Sequence, residues 1–389
     1  MSFAVSPRLD ALDPRFVARY DILEEIGVGG TGSVYKVRRR SDGGTFAAKV
    51  MSKARVGPRA LVKTLHWGLD TAGLTKTTKD GAVIVPTEAY VLRRLKHPGV
   101  VGFVDLLACE TYFYLVMEFH GASWQAAADQ SGPVLPPSPP VTPPSRQLDF
   151  PSLLPSPLEA TSGSFSLPAP TEMTNSARVS LPSTISPPSP CLVPTLPDPK
   201  VALLRAPLMR RSSSDLFEAI EHVRCFNEPA ARYVFHQIVA TVLDLASVGI
   251  RHSDLKDENI VLDERLHVKL VDFGSCRMWD VTKPAPPQTG RFYGTGTFAA
   301  PEIFQNAPYD GGMAEIWSLG VILSLLLTGA HPFASSQDAR IGFLAPLRHP
   351  VSPLAFDCLR RCLTVDVSRR IKLQDLIRHP WILERARTR

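Results

Sequence analysis

The spacing of apolar and polar positions changes character along the chain. Between Tyr20 and about Gly121 apolar residues come in short strand-like runs, interrupted by one helical stretch. Residues 45–48 form a strand-like run that ends at Lys49. Residues 88–95 place Val91, Leu92 and Leu95 on one helical face, and residues 108–119 read as a hairpin that ends in a buried strand over 114–117. From Asp215 onward the spacing is mostly helical: Val234, Phe235, Ile238, Val242, Leu243 and Leu245 recur at helical intervals within 230–248. Two short strand-like runs follow, 260–262 and 268–271, and then helices to the end. The longest apolar stretch, about 317–330, is too short to cross a bilayer and is expected as a buried core helix. A smaller β-rich part followed by a larger α-rich part predicts an α+β chain of two lobes.

Composition adds a third region. Of the 36 prolines, 20 lie between Pro133 and Pro207, and serine and threonine fill much of the rest. Such a stretch buries too little apolar surface to offset its ordering entropy, so a disordered insert is expected. The expected divisions are an N-terminal tail over 1–19, a small lobe with its hinge over 20–121, the insert over 122–213, a large lobe over 214–383 and a basic tail over 384–389. Lengthening a loop from about 10 to about 80 residues costs only about 1.8 kcal/mol of closure entropy, so an insert of this size is tolerable.

The net charge of +6 in 389 residues is scattered, with short runs such as Arg38-Arg39-Arg40, and implies neither a nucleic-acid partner nor a membrane partner. The six cysteines make no C-x-x-C pair; Cys358 and Cys362 share a helix face and are expected as buried thiols. Residues 1–20 lack the apolar core of a secretory signal, so a cytoplasmic protein is expected, with entry to the nucleus left open.

Three constellations carry chemistry. Gly27-Val28-Gly29-Gly30-Thr31-Gly32-Ser33-Val34 fits G-x-G-x-x-G-x-V, a backbone that approaches a polyphosphate and offers it N–H groups. A dinucleotide-binding turn is the rival, but it requires a helix next, whereas Val34 and Tyr35 favour a strand. Phe46-Ala47-Ala48-Lys49 ends in a lysine that needs a carboxylate partner if buried, and Glu88 on the following helix can supply it. The third is His252-Ser253-Asp254-Leu255-Lys256-Asp257-Glu258-Asn259, with Asp272-Phe273-Gly274 thirteen residues after Asn259.

These motifs resemble the eukaryotic protein kinase superfamily, whose pattern is H-R-D-L-K-x-x-N followed by D-F-G. The resemblance implies a two-lobed kinase fold that binds ATP and Mg²⁺ between the lobes. It implies Asp254 as catalytic base, Lys256 at the transferring phosphate, Lys49 on the phosphates with Glu88 as partner, and Asn259 and Asp272 as Mg²⁺ ligands. It further implies that Ile26, Gly27, Gly29, Gly32, Val34, Ala47, Met117, Glu118, His120 and Val261 enclose the nucleotide. Lysine two residues after the base is the serine/threonine form of this loop. Gly294-Thr295, Ala300-Pro301-Glu302, Trp317-Ser318-Leu319-Gly320, Arg370 and His379-Pro380-Trp381 extend the likeness to the calcium/calmodulin-kinase group. Trp67, Val85-Pro86-Thr87-Glu88 and Lys256-Asp257-Glu258-Asn259 are similar to PAS kinases.

The sequence departs from that pattern twice. Ser253 stands where the family has an arginine that pairs with a phosphorylated activation segment, so activity independent of phosphorylation at Thr282 or Thr289 is expected. Glu315 stands where the central helix has an aspartate that holds the catalytic loop. Two rivals therefore stay open: the same fold used only for binding, and a scaffold whose working part is the insert. The insert carries Ser-Pro and Thr-Pro pairs such as Ser138-Pro139 and Thr142-Pro143, prolines suited to SH3 or WW domains, and Arg210-Arg211-Ser212-Ser213-Ser214, which resembles a basophilic kinase site. Protein substrates are expected, with Glu258 and Asp215 available to substrate arginines.

Overall fold

The computed structural model describes residues 12–65, 67, 74–76, 82–121, 214–283, 289–290, 292, 294–305, 307–347 and 349–384. The insert and its motifs up to Ser213 lie outside the described residues, as do residues 1–11 and 385–389.

The chain enters through a short helix, α1 (Pro14–Arg19), and then forms β1 (Tyr20–Val28), β2 (Gly32–Arg39) and β3 (Thr45–Ser52). A small three-stranded sheet follows, of β4 (Leu61–Thr64), β5 (Thr75–Lys76) and β6 (Val83–Pro86), and leads into α2 (Thr87–Arg94). The antiparallel hairpin of β7 (Phe103–Ala108) and β8 (Tyr112–Glu118) completes a five-stranded sheet in the order β1-β2-β3-β8-β7. The larger part holds α3 (Leu216–Val223), α4 (Glu228–Ser247), β9 (Ile250–Arg251), β10 (Ile260–Leu262), β11 (Val268–Leu270) and β12 (Arg277–Met278). It ends with α5 (Gly311–Thr328), α6 (Ser336–Ile341), α7 (Pro353–Cys362), α8 (Leu373–Leu376) and α9 (Pro380–Leu383). The expected two-lobed α+β architecture is thus met.

The boundaries differ from the sequence reading in three places, each for a physical reason. Residues 14–19, expected as part of a tail, are the helix α1. Asp13 caps it by accepting from the Arg15 N–H, and buried Phe16 stacks on Tyr20 and Tyr114 with ring centroids 5.3 and 4.7 Å apart. Strand β3 runs past Lys49 to Ser52, because that lysine is itself buried. The hairpin read as 108–119 begins at Phe103, where half-buried Asp105 interrupts the apolar run.

The apolar helix reaching Thr328 is α5. Its length and composition would suit a membrane span, yet 78% of it is buried inside the protein, as a core helix requires. Trp317 on α5 stacks on Phe333 with centroids 5.2 Å apart. Arg370 closes the same corner: it donates to both oxygens of Glu302 at 2.7 and 2.9 Å and to the carbonyls of Met313 and Thr364. Cys358 and Cys362 are fully buried on α7, as expected from their spacing.

Candidate active site

The turn between β1 and β2 is closed by the Gly29 N–H donating to the Gly32 carbonyl at 2.8 Å. Gly32 must be glycine, because a Cβ there would run into the Val50 carbonyl of β3. The strand predicted after these glycines is present, so the dinucleotide-turn rival falls. Antiparallel register then carries the site inward: Gly27 pairs with Val34, Val34 with Lys49, and Ala47 with Met117 of β8.

Lys49 is the junction between the lobes. Its ammonium lies 2.8 Å from Glu88 Oε2 on α2 and 2.8 Å from Asp272 Oδ1. Burial disfavours the ammonium, but Asp272 and Glu88 outweigh burial and hold its pKa above the ordinary value. For Asp272 burial acts upward, while the Lys49 charge, the Lys49 hydrogen bond and the Gly274 N–H bring its pKa down to about 2. The Asp272 side chain remains 45% exposed, so an ionised carboxylate faces the cleft. Its backbone is left-handed at φ 62°, a conformation that Asp tolerates better than most residues, and its side chain caps the turn over Phe273–Ser275.

The catalytic-loop residues converge from the other side. Asp254 Oδ1 accepts from the Thr295 N–H at 2.9 Å and from the Thr295 hydroxyl at 3.0 Å. The Asn259 amide nitrogen donates to the Asp254 carbonyl at 2.8 Å and to Oδ2 at 3.3 Å. Its Oδ1 is thereby turned away from Asp254. His252 Nε2 meets the Val271 carbonyl at 2.9 Å; since a carbonyl only accepts, Nε2 carries the hydrogen, and Nδ1 accepts from the Asp254 N–H. The His252 ring lies 4.8 Å from Phe273, and both are buried, as is Leu92.

The remaining candidates are placed less simply. Lys256 and Glu258, expected to serve a phosphate and a substrate arginine separately, pair with each other at 2.6 Å. Asp215 caps α3 by accepting from the Glu218 N–H. The Glu118 side chain pairs with Lys269 at 2.9 Å, and His120 Nε2 meets the His267 carbonyl at 3.0 Å. Those two side chains are therefore spent on the large lobe, which leaves only their main chains for a ligand. Half-buried Ile26 lies on β1 and half-buried Val261 on β10, where it bridges to Asp215.

Two departures have a visible outcome. Glu315 Oε1 accepts from the Ser253 N–H at 2.9 Å, so the longer side chain still holds the loop. Ser253 adopts φ 67°. Two residues escaped the sequence reading. Asp257 is 6% exposed, and burial pushes its carboxyl up to about 6, aided by Glu258 and Asp215. Arg251, adjacent to the His252 motif, is 4% exposed. Only its neighbourhood to Ser253 could have drawn attention to it.

Among the described residues no group of three or more His, Cys, Asp or Glu side chains could hold a metal ion by itself. Asp272 and Asn259 instead offer hard oxygen atoms to a cation that brings its other ligands with it.

Comparison with known proteins agrees with this geometry. The protein kinase domain family matches residues 20–133 and 193–382. Over 176 residues, 44% of this chain, it is 38% identical to the PAS domain-containing serine/threonine-protein kinase of Mus musculus, covering 12% of that protein. It is 36% identical over 176 residues, again 44% of the chain, to serine/threonine-protein kinase prk-2 of Caenorhabditis elegans, covering 39% of it. With maternal embryonic leucine zipper kinase of Xenopus tropicalis it shares 34% identity over 182 residues, 44% of the chain and 26% of the relative. The matches thus span less than half the length of these relatives.

Proposed function

The chain belongs to the protein kinase domain family, and from that premise we propose that it is an active serine/threonine kinase, transferring the ATP γ-phosphoryl group to protein hydroxyls. The observation that carries this reading is the double engagement of Lys49, by Glu88 and Asp272 at 2.8 Å each. Both partners must be in place for phosphoryl transfer in this family, and a chain kept only for binding has no need of them.

The family uses ATP with Mg²⁺, and the oxygen donors of Asp272 and Asn259 fit that ion. Bound there, Mg²⁺ would neutralise charge that builds on the phosphates. The protein's own residues do the rest. Thr295 fixes Asp254 Oδ1 with two hydrogen bonds, and Asn259 holds the other oxygen, so the carboxylate is aimed before a substrate arrives. Asp254 takes the proton of the attacking hydroxyl. Lys256, held against Glu258, can swing toward the transferring group while a substrate arginine takes over Glu258. The hydroxyl of Thr295 beside Asp254 supports serine and threonine as acceptors.

Partners through residues 122–213 are proposed from sequence alone: SH3 or WW domains on the prolines and proline-directed kinases on the Ser-Pro and Thr-Pro pairs. The insert's two flanks meet, since a Cβ on Gly121 would collide with Ser214, so the insert can be excised with a short linker.

One experiment tests these readings together. The intact chain, Asp254→Asn and an insert-deleted form are assayed for Mg·ATP phosphotransfer to a peptide library. Asp254→Asn should lose about 10²- to 10⁴-fold in kcat, the usual worth of a positioned base. The deleted form should keep its activity and lose recovery of SH3 or WW domains. Equal counts from the intact chain and Asp254→Asn would sink the enzymatic reading.

A further inference from the structure

We propose that the face of the large lobe formed by α7, the loop after it, α8 and the start of α9 is a docking site for an acidic peptide that carries phosphoserine or phosphothreonine. This end of the sequence is basic: residues 357–389 hold nine Arg or Lys against four Asp or Glu. In the fold, Arg361, Arg369, Lys372 and Arg378 line one cavity of about 460 Å³.

The wall of this cavity is fixed from within. Arg370 sends its side chain inward, to Glu302 and to the Met313 and Thr364 carbonyls, which anchors the loop between α7 and α8. The Ile371 N–H donates to the Arg361 carbonyl at 3.2 Å and ties the same loop to α7. Buried His379 closes the far side: Nδ1 accepts from the Trp381 N–H at 3.2 Å, and Nε2 donates to Asp357 Oδ2 at 3.1 Å.

The charges on that fixed wall do not balance. Asp357 is spent on Arg361 at 2.8 Å and on His379. Burial raises its pKa, but the hydrogen bonds from His379 and Arg361 outweigh burial and hold it below the ordinary value. Arg369, Lys372 and Arg378 are exposed, and among the described residues no carboxylate lies within ion-pair distance of them. Asp375 is the remaining carboxylate of the lining, and its side chain meets no partner there either.

Three cations around one hollow select an anion with several oxygens. The guanidinium forks of Arg369 and Arg378 match phosphoryl oxygens two at a time, and the Lys372 ammonium adds a point charge. A phosphoryl group, a few times the roughly 30 Å³ share of one water molecule, fills only a fraction of the hollow, so the ligand brings a chain with it. Ile371 and Pro380 give that chain apolar contacts, and Asp375 can accept one of its backbone N–H groups. The two carboxylates also favour a peptide over a membrane or a nucleic-acid backbone. A uniformly negative surface would be repelled by Asp357 and Asp375, whereas a peptide sets its phosphoryl groups against the cations and its N–H groups against Asp375.

The test titrates the full chain, without nucleotide, into a fluorescein-labelled peptide of glycine and glutamate that carries two phosphoserines, and reads fluorescence polarisation. The phosphorylated peptide should bind at least about tenfold more tightly than its unphosphorylated form. Arg369→Gln and Arg378→Gln should each weaken binding by about 5- to 20-fold, and Arg369→Lys and Arg378→Lys should keep part of the affinity. Arg360→Gln removes the same charge from an exposed position of α7 outside the lining, and should change affinity by less than about twofold. Equal binding of the unphosphorylated peptide would overturn the proposal, as would equal losses in Arg360→Gln and Arg369→Gln, the mark of a diffuse charge effect. Tighter binding of phosphatidylserine vesicles or of oligothymidylate, lost in the same variants, would assign the cavity to a lipid or a nucleic acid and reject the peptide. Should a glutamine variant fail to fold, the two lysine variants decide, and unchanged affinity in both rejects it as well. No phosphotransfer enters these readouts, so a negative result leaves the kinase reading standing, and an inactive chain still reports on the cavity.

Discussion

Around Lys49 every charge is answered at close range: the ammonium by Glu88 and Asp272, the Asp272 carboxylate also by the Gly274 N–H, and Asp254 by Thr295 and Asn259. Around Arg251, which directly precedes the catalytic loop, the guanidinium Nε and the Ser253 hydroxyl are buried without a partner, and two arginines share a strand pair. The nucleotide side follows the family pattern residue for residue, whereas the wall behind the activation segment has exchanged an arginine for Ser253 and an aspartate for Glu315. The contrast teaches that the nucleotide side is preorganised by paired charges in the chain as it stands, while the wall behind the activation segment buries polar atoms that it leaves without a partner.

If the wall is rearranged but not degraded, its foundation should still bear load. Glu302 and Arg370 form a buried bidentate pair beneath it, and Arg370 also serves the Met313 and Thr364 carbonyls. Arg370→Leu leaves Glu302 as an unpaired buried carboxylate, and such losses typically cost about 3–5 kcal/mol. Urea unfolding should show the midpoint falling accordingly. A loss below about 1 kcal/mol would mean that this face is loosely held and would erase the contrast.

The contrast can also be sharpened on the nucleotide side, where two aspartates shift in opposite directions. The Asp272 pKa is depressed to about 2, so its contribution to stability is present above its ordinary value of 3.8 and is lost as pH falls toward 2. Asp257 is raised from 3.8 to about 6, so its contribution is complete below pH 3.8 and is lost as pH rises through 6. At neutral pH Asp257 therefore weakens the fold, and Asp257→Asn should stabilise it by about 1–3 kcal/mol at pH 7 and hardly at all near pH 4. Melting temperatures of both proteins across that range measure it. A difference that stays constant with pH would mean that the Asp257 carboxyl titrates normally.

What was legible follows from how each residue is specified. Lys49, Glu88, Asp254, Asn259 and Asp272 sit in motifs whose spacing is fixed by the ligand they share, so a linear reading finds them and the fold brings them together. Arg251 precedes the His252 motif, and Asp257 fills one of that motif's unspecified positions. Their properties come from burial and from neighbours distant in the chain: β12 pairs with β9 beside Arg251, and the Asp215 charge at the start of α3 acts on Asp257. Helix α1 was missed because six residues give too short a period, and its place is set by Phe16 against Tyr114, about a hundred residues away. The Lys256–Glu258 pair was missed because the two were assigned to separate partners, although residues two apart in an irregular loop can turn toward each other.

The smallest expected effect decides whether Glu315 is a flaw or a fit. In the family pattern the position is aspartate, so a chain merely tolerating glutamate would gain from Glu315→Asp. Here the Ser253 N–H lies 2.9 Å from Glu315 Oε1, and Ser253 is held at φ 67°, a left-handed conformation that disfavours residues with a Cβ. Removing one methylene withdraws the carboxylate by roughly 1.3 Å, beyond hydrogen-bond reach unless α5 or the loop moves. The variant should lose about 1–2 kcal/mol of stability, the range for a hydrogen bond to a charged group. Its kcat should fall by no more than about tenfold, because Thr295 and Asn259 still aim Asp254. Higher stability together with higher kcat in Glu315→Asp would show that glutamate is merely tolerated here and that the wall is a damaged copy of the family's.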